Sequence, residues 1–127
     1  MTESKAGVPT RDEVALHWRR LIDGQETREE AHAWAAQWVE VDDGNVADAM
    51  VGNALLRLHG FDMTRNPSDA SLVRHGGQGE YVHSRQWIAE SFQKWCVDCR
   101  KFDVDPEGFR AERRAAMRDF LRRDEGR

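Results

Sequence analysis

No apolar run in this chain of 127 residues approaches the roughly 20 residues that cross a bilayer, so a membrane span is not expected. The N-terminus carries one lysine, Lys5, with no apolar stretch behind it, which argues against a secretory signal. Cysteine is scarce. Cys96 and Cys99 stand three apart, too close to staple a fold, and reduced thiols in a cytoplasmic protein suit them better than export. Strand-like alternation is nearly absent, and no fixed-period repeat occurs, so a solenoid is excluded. Ordered catalytic signatures are missing too: there is neither a nucleophile elbow nor a His-Glu-x-x-His pattern. The balance leans against an enzyme, and no cofactor is implied.

What is present points to one small helical domain. Charged residues make up 33% of the chain, yet five tryptophans and five phenylalanines supply a core, each removing about 150–250 Å² from water when buried. Residues 1–9 and 124–127 lack apolar periodicity and are expected to fray, leaving a single domain over 10–123.

Helix signals recur along that span. Thr10-Arg11-Asp12-Glu13 has capping-box form and precedes Val14, Trp18, Leu21 and Ile22 at helical spacing, with Gly24 as the stop. Thr27-Arg28-Glu29-Glu30 repeats the box ahead of Ala31, Trp34, Ala35, Trp38 and Val39. These predict helices over 11–23 and 28–40, joined as a hairpin. A turn cluster at Asp42-Asp43-Gly44-Asn45 precedes a third apolar stripe from Val46 to Leu58, ending at Gly60. The period then vanishes over 61–83, where Asn66-Pro67-Ser68-Asp69 and His75-Gly76-Gly77-Gln78-Gly79 read as turn and loop. Ser84 caps a fourth helix carrying Ile88, Phe92, Trp95, Cys96, Cys99 and Phe102. Asp105-Pro106 opens a fifth over about 106–123, with Phe109, Arg113, Ala116, Phe120 and Leu121 on its inner side. The expected fold is all-α: a compact bundle of about five helices with one long irregular loop.

Charge is unevenly placed. Residues 24–93 hold eleven acids against five bases, whereas residues 94–127 hold eight against ten. Glu26, Glu29, Glu30, Glu40, Asp42, Asp43 and Asp48 crowd the start of the second helix and the turn after it. Such a field favours a cationic partner, although carboxylates at helix starts are ordinary. The arginines of the fifth helix are interleaved with Glu107, Glu112, Asp119 and Asp124, so nucleic acid is an unlikely partner from charge alone. Cys96 and Cys99 lack a second ligand pair and read as core. The glycine loop lacks the strand, helix and Lys-Ser/Thr of a phosphate loop. His17, His32, His59, His75 and His83 are scattered along the chain, and no metal ligand set is assigned.

The stretch Leu21-Ile22-Asp23-Gly24-Gln25-Glu26-Thr27-Arg28-Glu29-Glu30-Ala31 resembles the opening of small helical bacterial immunity proteins of the colicin D immunity kind. Leu58-His59-Gly60-Phe61-Asp62 and Tyr81-Val82-His83-Ser84 resemble small actinobacterial proteins of that general sort. The resemblance implies a cytoplasmic, non-enzymatic inhibitor that covers a cationic toxin domain such as a nuclease. Its contacts would be Glu26, Glu29, Glu30, Asp42, Asp43 and Asp48, with Phe61 and Tyr81 as exposed aromatic anchors. Two alternatives stay open: a small enzyme or metal-dependent small-molecule-binding protein built on the 61–83 loop with His59, His75 and His83, and a regulator touching nucleic acid through the basic fifth helix.

Overall fold

The computed structural model describes residues 7–41 and 46–125. The five expected helices form: α1 (Arg11–Asp23), α2 (Arg28–Val39), α3 (Ala49–Gly60), α4 (Arg85–Val104) and α5 (Pro106–Glu125). Between α3 and α4 the irregular stretch holds a short antiparallel ribbon, β1 (Met63–Arg65) with β2 (Val73–His75), in the register Met63 to His75 and Arg65 to Val73. Most of the residues expected to fray, 1–6 and 126–127, lie outside the described ones, as do Asp42 and Asp43.

Backbone contacts divide the chain into two units, Met1–Gln93 and Lys94–Arg127, with α4 running through the boundary. In the first unit both capping boxes close as the sequence prescribes. Thr10 Oγ1 accepts the Glu13 amide at 3.1 Å and Thr27 Oγ1 the Glu30 amide at 3.0 Å, while each glutamate returns the bond to the cap amide at 2.8 Å. The third helix starts later than Val46. Asp48 caps it, its carboxylate accepting the Met50 amide at 2.9 Å, because an Asp in extended backbone satisfies an otherwise orphaned donor.

The core of this unit gathers around Trp18, fully buried, whose indole donates to the Ile88 carbonyl at 3.1 Å and whose ring sits 5.6 Å from Phe61 and 5.4 Å from Phe92. On α2 only Ala31 and Ala35 are fully buried. Trp34 and Trp38 of the expected stripe are half-buried, Trp34 stacking on His17 at 3.8 Å. Small residues on its inner face let α2 lie close against α3, which brings His32 within reach of the far end of that helix.

In the second unit Asp105 caps α5 through the Gly108 amide at 3.0 Å, with Pro106 at the first helical position. Phe102 and Phe109 meet edge to face at 5.9 Å. Beyond Phe109 the expected inner stripe of α5 is corrected: Phe120 and Leu121 are 62% and 51% exposed. The 20 residues of α5 rise about 30 Å, whereas the part of α4 in this unit rises about 16 Å, so the far end of α5 outruns its neighbour within the unit. No described helix is long and apolar enough to cross a membrane.

Candidate metal centre

Three imidazoles from three elements meet on the first unit. His32 comes from the second turn of α2, His59 from the last turn of α3 and His75 from the end of β2. Their ring centroids lie 4.3, 4.5 and 4.7 Å apart, and one potential ligand atom from each falls within 4.8 Å of the others. His32 and His59 are about one-fifth exposed or less, and His75 is 40% exposed.

The surroundings fix which nitrogen two of the rings offer. His32 Nδ1 lies 2.8 Å from the His59 carbonyl oxygen, which only accepts; Nδ1 therefore carries the proton and Nε2 keeps the lone pair. His75 Nδ1 lies 2.6 Å from Asp62 Oδ1, which leaves its Nε2 free in the same way. The third ring, His59, turns Nε2 to Glu40 Oε2 at 2.7 Å, and His32 Nε2 stands 3.7 Å from that same oxygen. The His59 bond also pulls the Glu40 carboxyl below its ordinary range. Carbonyl and carboxylate partners behind imidazoles are the outer shell that orients histidine ligands at metal sites. Tetrahedral zinc, with bonds of about 2.0–2.1 Å, places its ligand atoms about 3.3 Å apart, so the three rings would draw in by about 1 Å.

Asp62 supplies an independent observation. Its side chain is 4% exposed, and it faces His75 and, at 3.4 Å, His32; no described lysine or arginine pairs with it. A buried carboxylate is costly without a cation or hydrogen-bond donors. Imidazoles carrying a metal on their far nitrogens provide both.

The ribbon sets this geometry. The Gly76 amide donates to the Asp62 carbonyl at 3.0 Å, and the Thr64 hydroxyl donates to the Gly76 carbonyl. Gly76 and Gly77 take φ of 67° and 97°, which non-glycine residues rarely adopt, and so turn the chain directly after His75. Gly79 is needed for a different reason, since a Cβ there would lie 1.5 Å from the Arg65 carbonyl oxygen.

Four of the acidic residues expected to contact a partner have local partners of their own. Glu26 meets His17 Nδ1 at 2.9 Å, Glu29 accepts the Tyr81 hydroxyl at 2.9 Å, and Glu30 completes the α2 capping box. Asp48 pairs with Arg11 at 2.8 Å, and this bond is the main cause of its depressed pKa. Asp42 and Asp43 fall outside the described residues. Phe61 is corrected: it is 1% exposed and packs on Trp18, because the turn after α3 points it inward. Tyr81 is exposed, with the Arg28 guanidinium 3.9 Å from its ring centroid. Of the loop histidines, His83 stands apart from the trio and stacks on Trp87 at 4.2 Å. His32, to which the sequence assigned no role among the scattered histidines, takes its place. No local spacing announces that substitution, because His32 and His59 are 27 residues apart. Neither cysteine joins the cluster: Cys99 is buried and Cys96 half-buried.

A family model described as YxzC DNA-binding protein matches residues 3–96, which include every residue of the histidine cluster and stop before α5. The chain belongs to this family. Membership overturns the resemblance to colicin D immunity proteins, whose shared pattern was a capped helical hairpin, a feature common to many helical folds. It equally overturns the exclusion of nucleic acid as a partner, since the YxzC family is described as DNA-binding. That exclusion rested on the interleaved charges of the fifth helix, which lies outside the matched residues. No curated protein and no solved structure gives a significant match.

Proposed function

We propose that this protein is a metal-dependent member of the YxzC family, cytoplasmic, that binds one divalent transition-metal ion through His32, His59 and His75. The observation that carries this reading is the convergence of three imidazoles whose other nitrogens, on His32 and His75, are already tied to a carbonyl and a buried carboxylate. Nitrogen ligands of this kind favour zinc, copper, nickel or iron over magnesium or calcium. Glu40 Oε2 lies beside the cluster, 2.7 Å from His59 Nε2 and 3.7 Å from His32 Nε2, and zinc is the simplest occupant of three histidines with an open position. Asp62 acts from behind, holding His75 and supporting His32. Cys96 and Cys99, as thiols, suit a reducing compartment.

Titration calorimetry with zinc on tag-free protein, paired with elemental analysis, tests this. One equivalent is expected to bind, and cobalt substitution should give the visible absorption of a tetrahedral site. His75→Ala and His32→Ala should each weaken binding by at least tenfold, and Asp62→Asn by roughly 10–100-fold through loss of ring orientation. Absence of stoichiometric binding, or equal affinity in the histidine variants, would refute the centre.

A second reading, contact with DNA, is favoured by the family description. Under it the metal centre is a structural element of a nucleic-acid-binding protein, and the contacting surface lies within residues 3–96 rather than on α5.

A further inference from the structure

The turn from α1 into α2 faces the start of α4 and the chain after the ribbon across a cavity of about 250 Å³. The cavity lies wholly in the first unit, and none of its lining residues belongs to the histidine cluster. Leu21 and Ile88, both buried, supply an aliphatic floor, and Arg28, Glu29, Tyr81 and Arg85 supply the polar wall.

These polar groups keep bonding capacity in reserve. Arg28 donates through Nη1 alone, to the carbonyls of Phe61 at 3.3 Å and His83 at 2.6 Å, with its guanidinium carbon 3.9 Å from the Tyr81 ring centroid. Arg85 donates through Nη2 to the Ile22 carbonyl at 2.7 Å. A guanidinium carries five donors, so each arginine has several left. Among the described residues, neither lies in ion-pair range of a carboxylate. Burial holds the Arg28 pKa below its ordinary value, and the like charge of Arg85 pushes the same way. Two cations on one wall favour an anion between them.

A negative group stands opposite. Glu29 accepts the Tyr81 hydroxyl at 2.9 Å through Oε2, which leaves Oε1 for a further donor. Glu26 also lines the cavity, but both its oxygens lie 2.9 Å from His17 Nδ1 and it is occupied there.

We propose that this cavity binds a small zwitterion with an aliphatic body, an α-amino acid of the leucine kind. Its carboxylate meets Arg28 and Arg85, its ammonium meets Glu29, and its side chain rests on Leu21 and Ile88. The cavity is smaller than the roughly 300–1,000 Å³ of sites for drug-sized ligands, which suits a metabolite of this size. An inorganic anion would leave the aliphatic floor uncovered and be repelled by Glu29. An amine without a carboxylate would leave both guanidinium groups unpaired.

Titration calorimetry on the full chain tests this with L-leucine, leucinamide, isocaproate and inorganic phosphate. One equivalent of leucine should bind. Leucinamide, which lacks the carboxylate, and isocaproate, which lacks the ammonium, should each bind at least about tenfold more weakly, the usual cost of losing a charged hydrogen-bonding group. Arg85→Gln should weaken leucine by a similar factor and leave leucinamide unchanged, while Glu29→Gln should weaken leucine and leave isocaproate unchanged. Arg28 stays intact in these variants, because its bonds to the Phe61 and His83 carbonyls also hold the ribbon segment. Melting curves establish that both variants fold, and the ligand series on the parent protein stands without them. No binding of leucine at millimolar concentration would overturn the site, as would leucinamide or phosphate binding as tightly as leucine. Equal losses for leucine and leucinamide in Arg85→Gln would overturn the carboxylate contact.

Discussion

Asp48 shows how a single carboxylate drawn from an acidic cluster acquires a structural task. It caps α3 and pairs with Arg11 across 37 residues of sequence. The Arg11 hydrogen bond, followed by the Met50 amide, depresses its carboxyl below the ordinary value of 3.8. A carboxylate stabilised in the folded state contributes fully above its unfolded pKa and loses that contribution as pH falls through the lower folded value. Asp48→Asn should therefore lower the melting temperature at neutral pH, and the gap to the parent protein should narrow below about pH 4. Melting curves over pH check this, and a gap that stays constant into acid would exclude the linkage. The replacement keeps the cap partly intact, so the loss reports mainly on the Arg11 pair. His32 and Asp62 tell the same story at the histidine cluster, where each meets a partner remote in the chain.

At the scale of elements, the ribbon is the segment most exposed to local substitution. Gly79 lies so close to the Arg65 carbonyl that any Cβ collides with backbone rather than with a movable side chain. Gly79→Ala should displace the strand carrying Arg65, weaken zinc binding several-fold through His75, and leave the helical content by circular dichroism nearly unchanged. Undiminished zinc affinity would show that the ribbon adapts without moving its histidine. The α2 cap offers a contrasting case. Thr27→Ala removes one bond of the capping box and should cost about 1 kcal/mol by denaturant unfolding, without altering the metal ligands. A loss under a few tenths of a kcal/mol would mean that solvent replaces the cap.

For the whole molecule, a ligand that binds only the folded state raises stability by mass action, about 2.7 kcal/mol at a free concentration one hundred times its dissociation constant. Zinc should accordingly raise the melting temperature, and His75→Ala should abolish the rise. Because the ligands come from α2, α3 and β2, amide-exchange protection on zinc addition should concentrate in residues 28–40, 49–60 and 61–83. Protection of equal size in α5 would contradict a centre confined to the first unit. The chain's net charge of −4 conceals its distribution, since residues 24–93, within the family-matched stretch, hold eleven acids against five bases while residues 94–127 hold eight against ten.

Local chemistry determined the helices. Thr10 with Glu13, Thr27 with Glu30, Gly24, and Asp105 with Pro106 are start and stop signals that act over one turn, and each works as read. Apolar spacing likewise marked Trp18, Leu58 and Ile88 for the core. Two misreadings share one cause, since periodicity gives a face but not what covers it: Phe61 went inward and Phe120 outward. The histidine cluster was only half legible. His59 and His75 stood out beside the glycine loop, but His32 joined them only because two small alanines let α2 lie close to α3 and a three-residue ribbon returned His75 to the same place. Such a site is a meeting of distant segments, and no stretch of sequence contains its distances.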